Sequence, residues 1–200
     1  MKKFILFLSL LAVSFLVLPA QNVSDLDAFE KAIKPGTVLT YDVEMSGKKY
    51  QFIATLKKVG DEIVFDWNTS APENKKGSIT ISAGANAKAD ALFNLFKEGA
   101  TNLDKEISVF ISRKMFNDVS TTSATNIKIN GASDTATVMS NTISEFNFNL
   151  NGNLVAIPGW ELQGGSDINY TIDVIESTKF PIIYRIDLGW TMQLSEVKNP

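Results

Sequence analysis

From Thr37 onward, apolar and polar positions alternate with a period of two. Leu39, Tyr41, Val43 and Met45 alternate with Thr40, Asp42 and Glu44, as a half-buried strand requires. After Ser46-Gly47 the alternation resumes at Tyr50, Phe52, Ala54 and Leu56, and after Gly60-Asp61 at Ile63, Phe65 and Trp67. Such short connections predict a meander of hairpins. Residues 70–77 are polar and read as a surface loop, and Ile79 and Ile81 mark another short strand.

Three segments break the alternation. Residues 24–33 predict a short helix, with Ser24 as cap, Asp25 and Asp27 at its positive end, and Leu26, Phe29 and Ile33 on one face. Pro35-Gly36 stops it. Over 85–97, Ala85, Ala89, Leu92, Phe93 and Phe96 share a helical face, and Gly99 stands where a C-terminal cap belongs. Ile107, Val109 and Ile111 predict a strand, followed by a one-turn helix over 113–118 capped by Ser112, with Met115 and Phe116 inward.

The second half is nearly all strand signal. Ile127 and Ile129, then Ala136 and Val138, then Phe146, Phe148 and Leu150 alternate with polar residues. Asn151-Gly152 is a strong hairpin signal, because both residues tolerate positive φ. Leu154 to Ile157 resume a strand that Pro158-Gly159 bends or ends, with Trp160 and Leu162 beyond. Gly164-Gly165 predicts a loop. Ile168, Tyr170, Ile172 and Val174 follow, then Ile182, Tyr184 and Ile186, then Trp190, Met192 and Leu194. The fold class is therefore mainly β: an antiparallel sandwich or open barrel of roughly ten or eleven strands with two or three short helices. Residues 1–20 are set apart as a signal peptide, 21–36 as a short N-terminal helix and linker, and 37–200 as a single β-rich domain.

The leader rests on Met1-Lys2-Lys3, an apolar run from Phe4 to Leu18, and Ala20 before Gln21. That run is short of the roughly 20 residues a bilayer span needs, and no later stretch supplies a transmembrane segment. The pattern predicts export in a bacterial cell to the periplasm or beyond. The chain has 19 Lys+Arg, 22 Asp+Glu, no Cys and no His. Loss of Lys2 and Lys3 with the leader makes it more acidic still, which argues against a nucleic-acid partner. Without Cys there is no disulfide, thiolate nucleophile or lipid-anchored N-terminus. Without His the usual general base, metal ligand and pH switch are missing.

The remaining chemistries are narrow. Ser108 or Ser112 beside Lys114 lacks the Ser-x-x-Lys spacing and reads as a solvated strand end. Asp134-Thr135-Ala136 has Ala where an aspartic protease loop has Gly, and reads as a turn-initiating Asp. Calcium is the one metal that oxygen ligands alone would suit, but Asp25-Leu26-Asp27 lacks the rest of a calcium loop. Gly164-Gly165-Ser166-Asp167 has no phosphate-loop spacing. Glycoside hydrolysis needs two facing carboxylates, and Glu145, Glu161, Asp173 and Glu176 lie on or near strands. No cofactor and no metal site is expected.

The aromatic residues on apolar strand faces carry the functional expectation. Tyr41, Phe52, Phe65, Trp67, Phe146, Phe148, Tyr170 and Tyr184 are the candidate ligand-binding residues, either as solid core or as the lining of a cavity. A leader followed by a strand-rich domain with a short inserted helix is similar to exported bacterial envelope proteins. Among these it resembles periplasmic lipoprotein carriers, in which a curved sheet wraps apolar cargo over a helical plug. The resemblance is one of architecture and implies no individual residue. The leading expectation is a non-enzymatic envelope protein holding an apolar or amphiphilic ligand, or a lipidated partner, in a β cavity. The alternatives are a structural or adhesive module binding protein or glycan, and a carboxylate-based glycan hydrolase.

Overall fold

The predicted meander is the frame of the sheet. In the computed structural model, which describes residues 23–94, 96–129, 131–139, 144–165 and 169–200, β1 (Val38–Met45), β2 (Lys48–Lys58), β3 (Ile63–Thr69) and β4 (Lys76–Ile81) pair in sequence, each antiparallel to the last. The predicted leader lies outside the described residues. Leu39, Tyr41, Phe52, Ala54, Phe65 and Trp67 are buried, while Asp42, Glu44 and Gln51 are exposed, so the period-two alternation separates core from solvent.

The second half closes on itself. β10 (Ser144–Leu150), β11 (Asn153–Gly164), β12 (Tyr170–Ile175), β13 (Ile183–Asp187) and β14 (Thr191–Lys198) form a ring, because β10 pairs with both β11 and β14. Two long strands make closure work. Along one edge of β14 runs β1; the other edge takes β13 at Thr191–Gln193 and β10 at Glu196–Val197. β11 does the same. Gly159 has Ser144 of β10 on one side and Ile175 of β12 on the other, and Leu162 has Val138 of β9 (Ala132–Val138) opposite Ile172. β9 and β10 therefore follow end to end along one edge of β11. The core is thus a closed barrel within a mainly β fold of fourteen strands and three short helices among the described residues.

One helix packs on the ring and the other two on the rest of the sheet. α1 (Val23–Ala32) seats Phe29 edge-on against Phe148, with ring centroids 5.8 Å apart. Ser177 donates to Glu30 at 2.7 Å, and Asp25 accepts from the Ala156 amide, so α1 is part of the barrel body. α2 (Ala83–Lys88) is capped by Ser82, and the Asn86 amide nitrogen donates to the Gly60 and Asp61 carbonyls at the β2–β3 turn.

The helix expected over 85–97 stops at Lys88. Ala89 is extended, and its carbonyl accepts from the Ser112 hydroxyl at 2.6 Å. Ala91–Leu92 form β5, a short parallel partner of both β7 (Glu106–Ile107) and β8 (Ala124–Ile129), and Asp90 accepts from the Lys128 amide and pairs with its ammonium. Tertiary pairing here outweighs a helical spacing. Residues 96–98 lead into β6 (Gly99–Leu103), which pairs parallel with β4.

The strand expected through Ile111 also shrinks. Only Glu106–Ile107 is regular; Val109 takes φ 65°, and Phe110 bridges to Ile182. Ser112 is fully buried and caps a helix, which replaces the solvated strand end expected for it; Ser108 is buried as well. That helix, α3 (Arg113–Thr122), runs past the single turn predicted, until Ser123 ends it at φ 57°. Asp134 lies inside β9 and not at a turn. β11 passes straight through Pro158-Gly159.

Gly159 is needed where it stands. A Cβ there would meet the Phe146 ring and the Val174 carbonyl. Gly159→Ala is expected to destabilise the protein by roughly 1–3 kcal/mol, as overpacking does. A shift in the urea midpoint measures it, and an unchanged midpoint would mean that β10 and β12 do not pinch β11 at this residue.

Candidate functional site: an aromatic cleft and a polar row

The apolar faces of β1, β2 and β3 point to one side, and alternation places Val43, Met45, Tyr50, Phe52 and Trp67 there together. Met192 of β14 stands beside Val43, and Trp190 precedes it on the turn after Gly189. Asn94, Phe96 and Lys97, between β5 and β6, supply the opposite wall. The result is an open cleft of about 280 Å³.

Its aromatic residues form a connected set. Phe52 and Trp67 stack with centroids 5.9 Å apart, and Phe96 leans over them at 4.4 Å from Phe52 and 5.5 Å from Trp67. Phe93 backs Phe96 at 5.9 Å. The Trp67 indole nitrogen is buried and has no hydrogen-bond partner. Thr69, Glu73, Lys75 and Lys97 supply the polar part of the lining. Hydrogen bonds from Lys48 and Lys75 hold the Glu73 carboxyl below its usual range, at ion-pair distances of 2.9 and 3.4 Å. Burial, and then the Glu73 charge, raise the Tyr50 hydroxyl.

Of the eight aromatics singled out in the sequence, Phe52 and Trp67 line this cleft. Tyr41, Phe65, Phe146, Phe148, Tyr170 and Tyr184 are buried elsewhere in the core. Tyr41 donates to the Ile183 carbonyl at 3.1 Å, and burial pushes its hydroxyl far up. Phe146 and Tyr184 stack at 4.5 Å. Burial, then the neighbouring Asp134 charge, push Tyr170 up to about 12. Phe96 was hidden by its helical spacing with Ala85, Ala89 and Leu92. Met45, Tyr50, Trp190 and Met192 were legible as strand-face residues, but nothing in the sequence showed that their face stays partly uncovered.

A second constellation lies on the opposite faces of the same strands. Cross-strand partners run Glu161, Asp173, Arg185, Gln193, Asp42, Gln51 across six neighbouring strands. Gln51 donates to Asp42 at 3.2 Å, and Gln193 to the Tyr184 hydroxyl at 2.8 Å. Ser144 donates to Glu161 at 2.7 Å, and Arg185 pairs with Asp187 at 3.0 Å. Asp173 is 4% exposed, and its Oδ1 has no hydrogen-bond partner. Burial, then the Glu161 charge, push its carboxyl up to about 7; Arg185 opposes this and Asp187 adds to it. Of the four carboxylates noted in the sequence, Glu161 and Asp173 come face to face. Glu145 alternates with Phe146 and is exposed on the other face of β10, and Glu176 follows the end of β12, its carboxyl raised by burial.

The buried carboxyl sets a stability slope. Folded Asp173 keeps its proton to about pH 7, whereas an unfolded Asp releases it near 4, so the folded state binds more protons in between. Stability should therefore fall as pH rises from about 4 to about 7, by at most on the order of 4 kcal/mol, and level off above. Asp173→Asn should flatten this slope and leave the variant more stable than the parent at pH 8. Urea midpoints across that pH range decide it; a variant less stable than the parent at pH 8 would show that the fold stabilises the Asp173 carboxylate.

No protein-family model, no curated protein and no solved structure matches the chain.

Proposed function

We propose that this is an exported bacterial envelope protein that binds an apolar or amphiphilic ligand, or the lipid chain of a lipidated partner, in the aromatic cleft and without covalent chemistry there. The observation that carries the reading is the cleft itself. Two tryptophans, a tyrosine, two phenylalanines and two methionines converge on one concavity that the rest of the core leaves open. Tyr50, Phe96 and Trp190 keep part of their ring surface in water, which is costly, and a ligand that covers it removes that cost.

The cleft also bounds the ligand. A volume of about 280 Å³ sits at the lower end of small-molecule sites, so it suits one ring system or the end of one acyl chain. The barrel itself offers no such room. A ring of five strands is narrower than the roughly eight whose interior side chains just fill. Polar groups at the edge, including Lys75 and Lys97, suit a ligand whose other end remains in water. Export rests on the leader pattern of Lys2-Lys3, apolar run and Ala20.

Trp67 and Trp190 both touch the site, so indole emission reports on it. Titrating the protein with a fluorescent fatty acid, and extracting what co-purifies from envelope lipids, should show saturable uptake. Trp190→Ala should weaken uptake by about 10-fold, roughly 1.4 kcal/mol; because Trp190 also packs against the core, uptake is compared at a temperature where circular dichroism shows both proteins folded. A ligand-free protein that takes up no probe would rule the reading out.

A further inference from the structure

We propose that the ligand of the aromatic cleft is a free single-chain carboxylic acid, with its chain on the aromatic base and its carboxylate at Lys97. The proposal rests on the cleft reading above and deepens it by naming the head group. The polar edge of the cleft carries the argument. Among the described residues, its charged lining is Glu73, Lys75 and Lys97. Glu73 is already taken up, because Lys48 and Lys75 pair with it at 2.9 and 3.4 Å. Lys97 stands exposed on the opposite wall and has no ion pair among the described residues. The cleft thus offers one unspent positive charge on a chain whose net charge is negative.

The other unpartnered polar groups of the lining add donors. The Tyr50 hydroxyl bonds to no described residue, and burial and the Glu73 charge raise it, so it keeps its proton. The Asn94 amide, on the wall of Lys97, is also without a described partner and brings two N–H groups. Thr69, by contrast, is bound to the Lys75 backbone. An ionised carboxyl, which only accepts, meets this set. A single lysine also favours one negative charge over two. A phosphate would bring its second charge toward Glu73, and no arginine fork is among the described lining residues to hold it. Below this edge the stacked Phe52, Trp67 and Phe96 form the apolar base, and the flexible Met45 and Met192 can follow a chain. A chain already linked to a protein has its carboxyl tied up as an ester or amide. The free acid is the occupant that uses both halves of the cleft.

The test titrates the protein near pH 8 with decanoate, methyl decanoate, decylamine and decyl phosphate, and reads indole emission and calorimetric heat. Decanoate should bind tightest. The ester, which stands for a protein-linked chain, should bind about 5-fold more weakly, and the amine, a like charge to Lys97, more weakly still. Lys97→Gln, at an exposed position, should weaken decanoate by about 5-fold and leave the ester unchanged, and added salt should act in the same way. From octanoate upward, each methylene should raise affinity by up to about 4-fold until the base is covered. An ester as tight as the acid, an amine or phosphate tighter than it, a Lys97→Gln effect shared by acid and ester, or no gain with chain length overturns the proposal and leaves the cleft reading standing. Failure of every member to bind overturns both.

Discussion

Backbone pairing along two strands governs the rest of the architecture. Each N–H and C=O on a buried strand must find a partner, and an unpaired edge is a liability. β11 and β14 meet this demand with length. Each carries one partner along the first half of an edge and a different partner along the second half. The second-half sheet thereby closes into a ring, while β1 hangs the meander of β2, β3 and β4 from β14. The aromatic cleft lies on the apolar face of that meander, which Phe96 and its neighbours cover only in part.

The same device lets one strand carry two kinds of surface. Val155, Ile157 and Gly159 lie on the face of β11 that carries Glu161. Where β10 is the neighbour, that face is packed against Phe146 and Phe148. Where β9 takes over, Glu161 follows on that face and accepts from the Ser144 hydroxyl. Gly159 marks the changeover, squeezed between Phe146 and Val174.

Much of this was readable in the residues, and the misses have a common cause. The hairpins were visible because turn chemistry is local. Asn151 and Gly152 take φ of 53° and 84°, as that dipeptide allows. Ring closure was not visible, because the parallel contact of β10 with β14 is two residues long and joins segments far apart in sequence. The helix expected over 85–97 ends early, as α2, for the same reason: Asp90 and Leu92 are claimed by β7 and β8, which no local pattern announces. Phe52 and Trp67 were identified correctly as strand-face aromatics. Whether such a face is covered depends on tertiary packing, so Phe96 and Trp190 could be placed at the cleft only from the structure. Glu161 and Asp173 were both noted as strand carboxylates, yet their pairing is a matter of register.

Register also separates the cleft from the polar row. On β14, Met192 faces the cleft and Gln193 the polar row; on β1, Val43 and Asp42 divide in the same way, and on β2, Phe52 and Gln51. A slip of one residue in this pairing would exchange the faces and destroy both at once. The bulge at Ser195 lets β14 serve both neighbours: it shifts the register with β1 between Thr40 and Tyr41, so that Leu194 and Val197 both turn toward the core. Buried Asp173 sits within this rigid frame at a cost to stability above neutral pH, since an Asn of the same shape would avoid the charge.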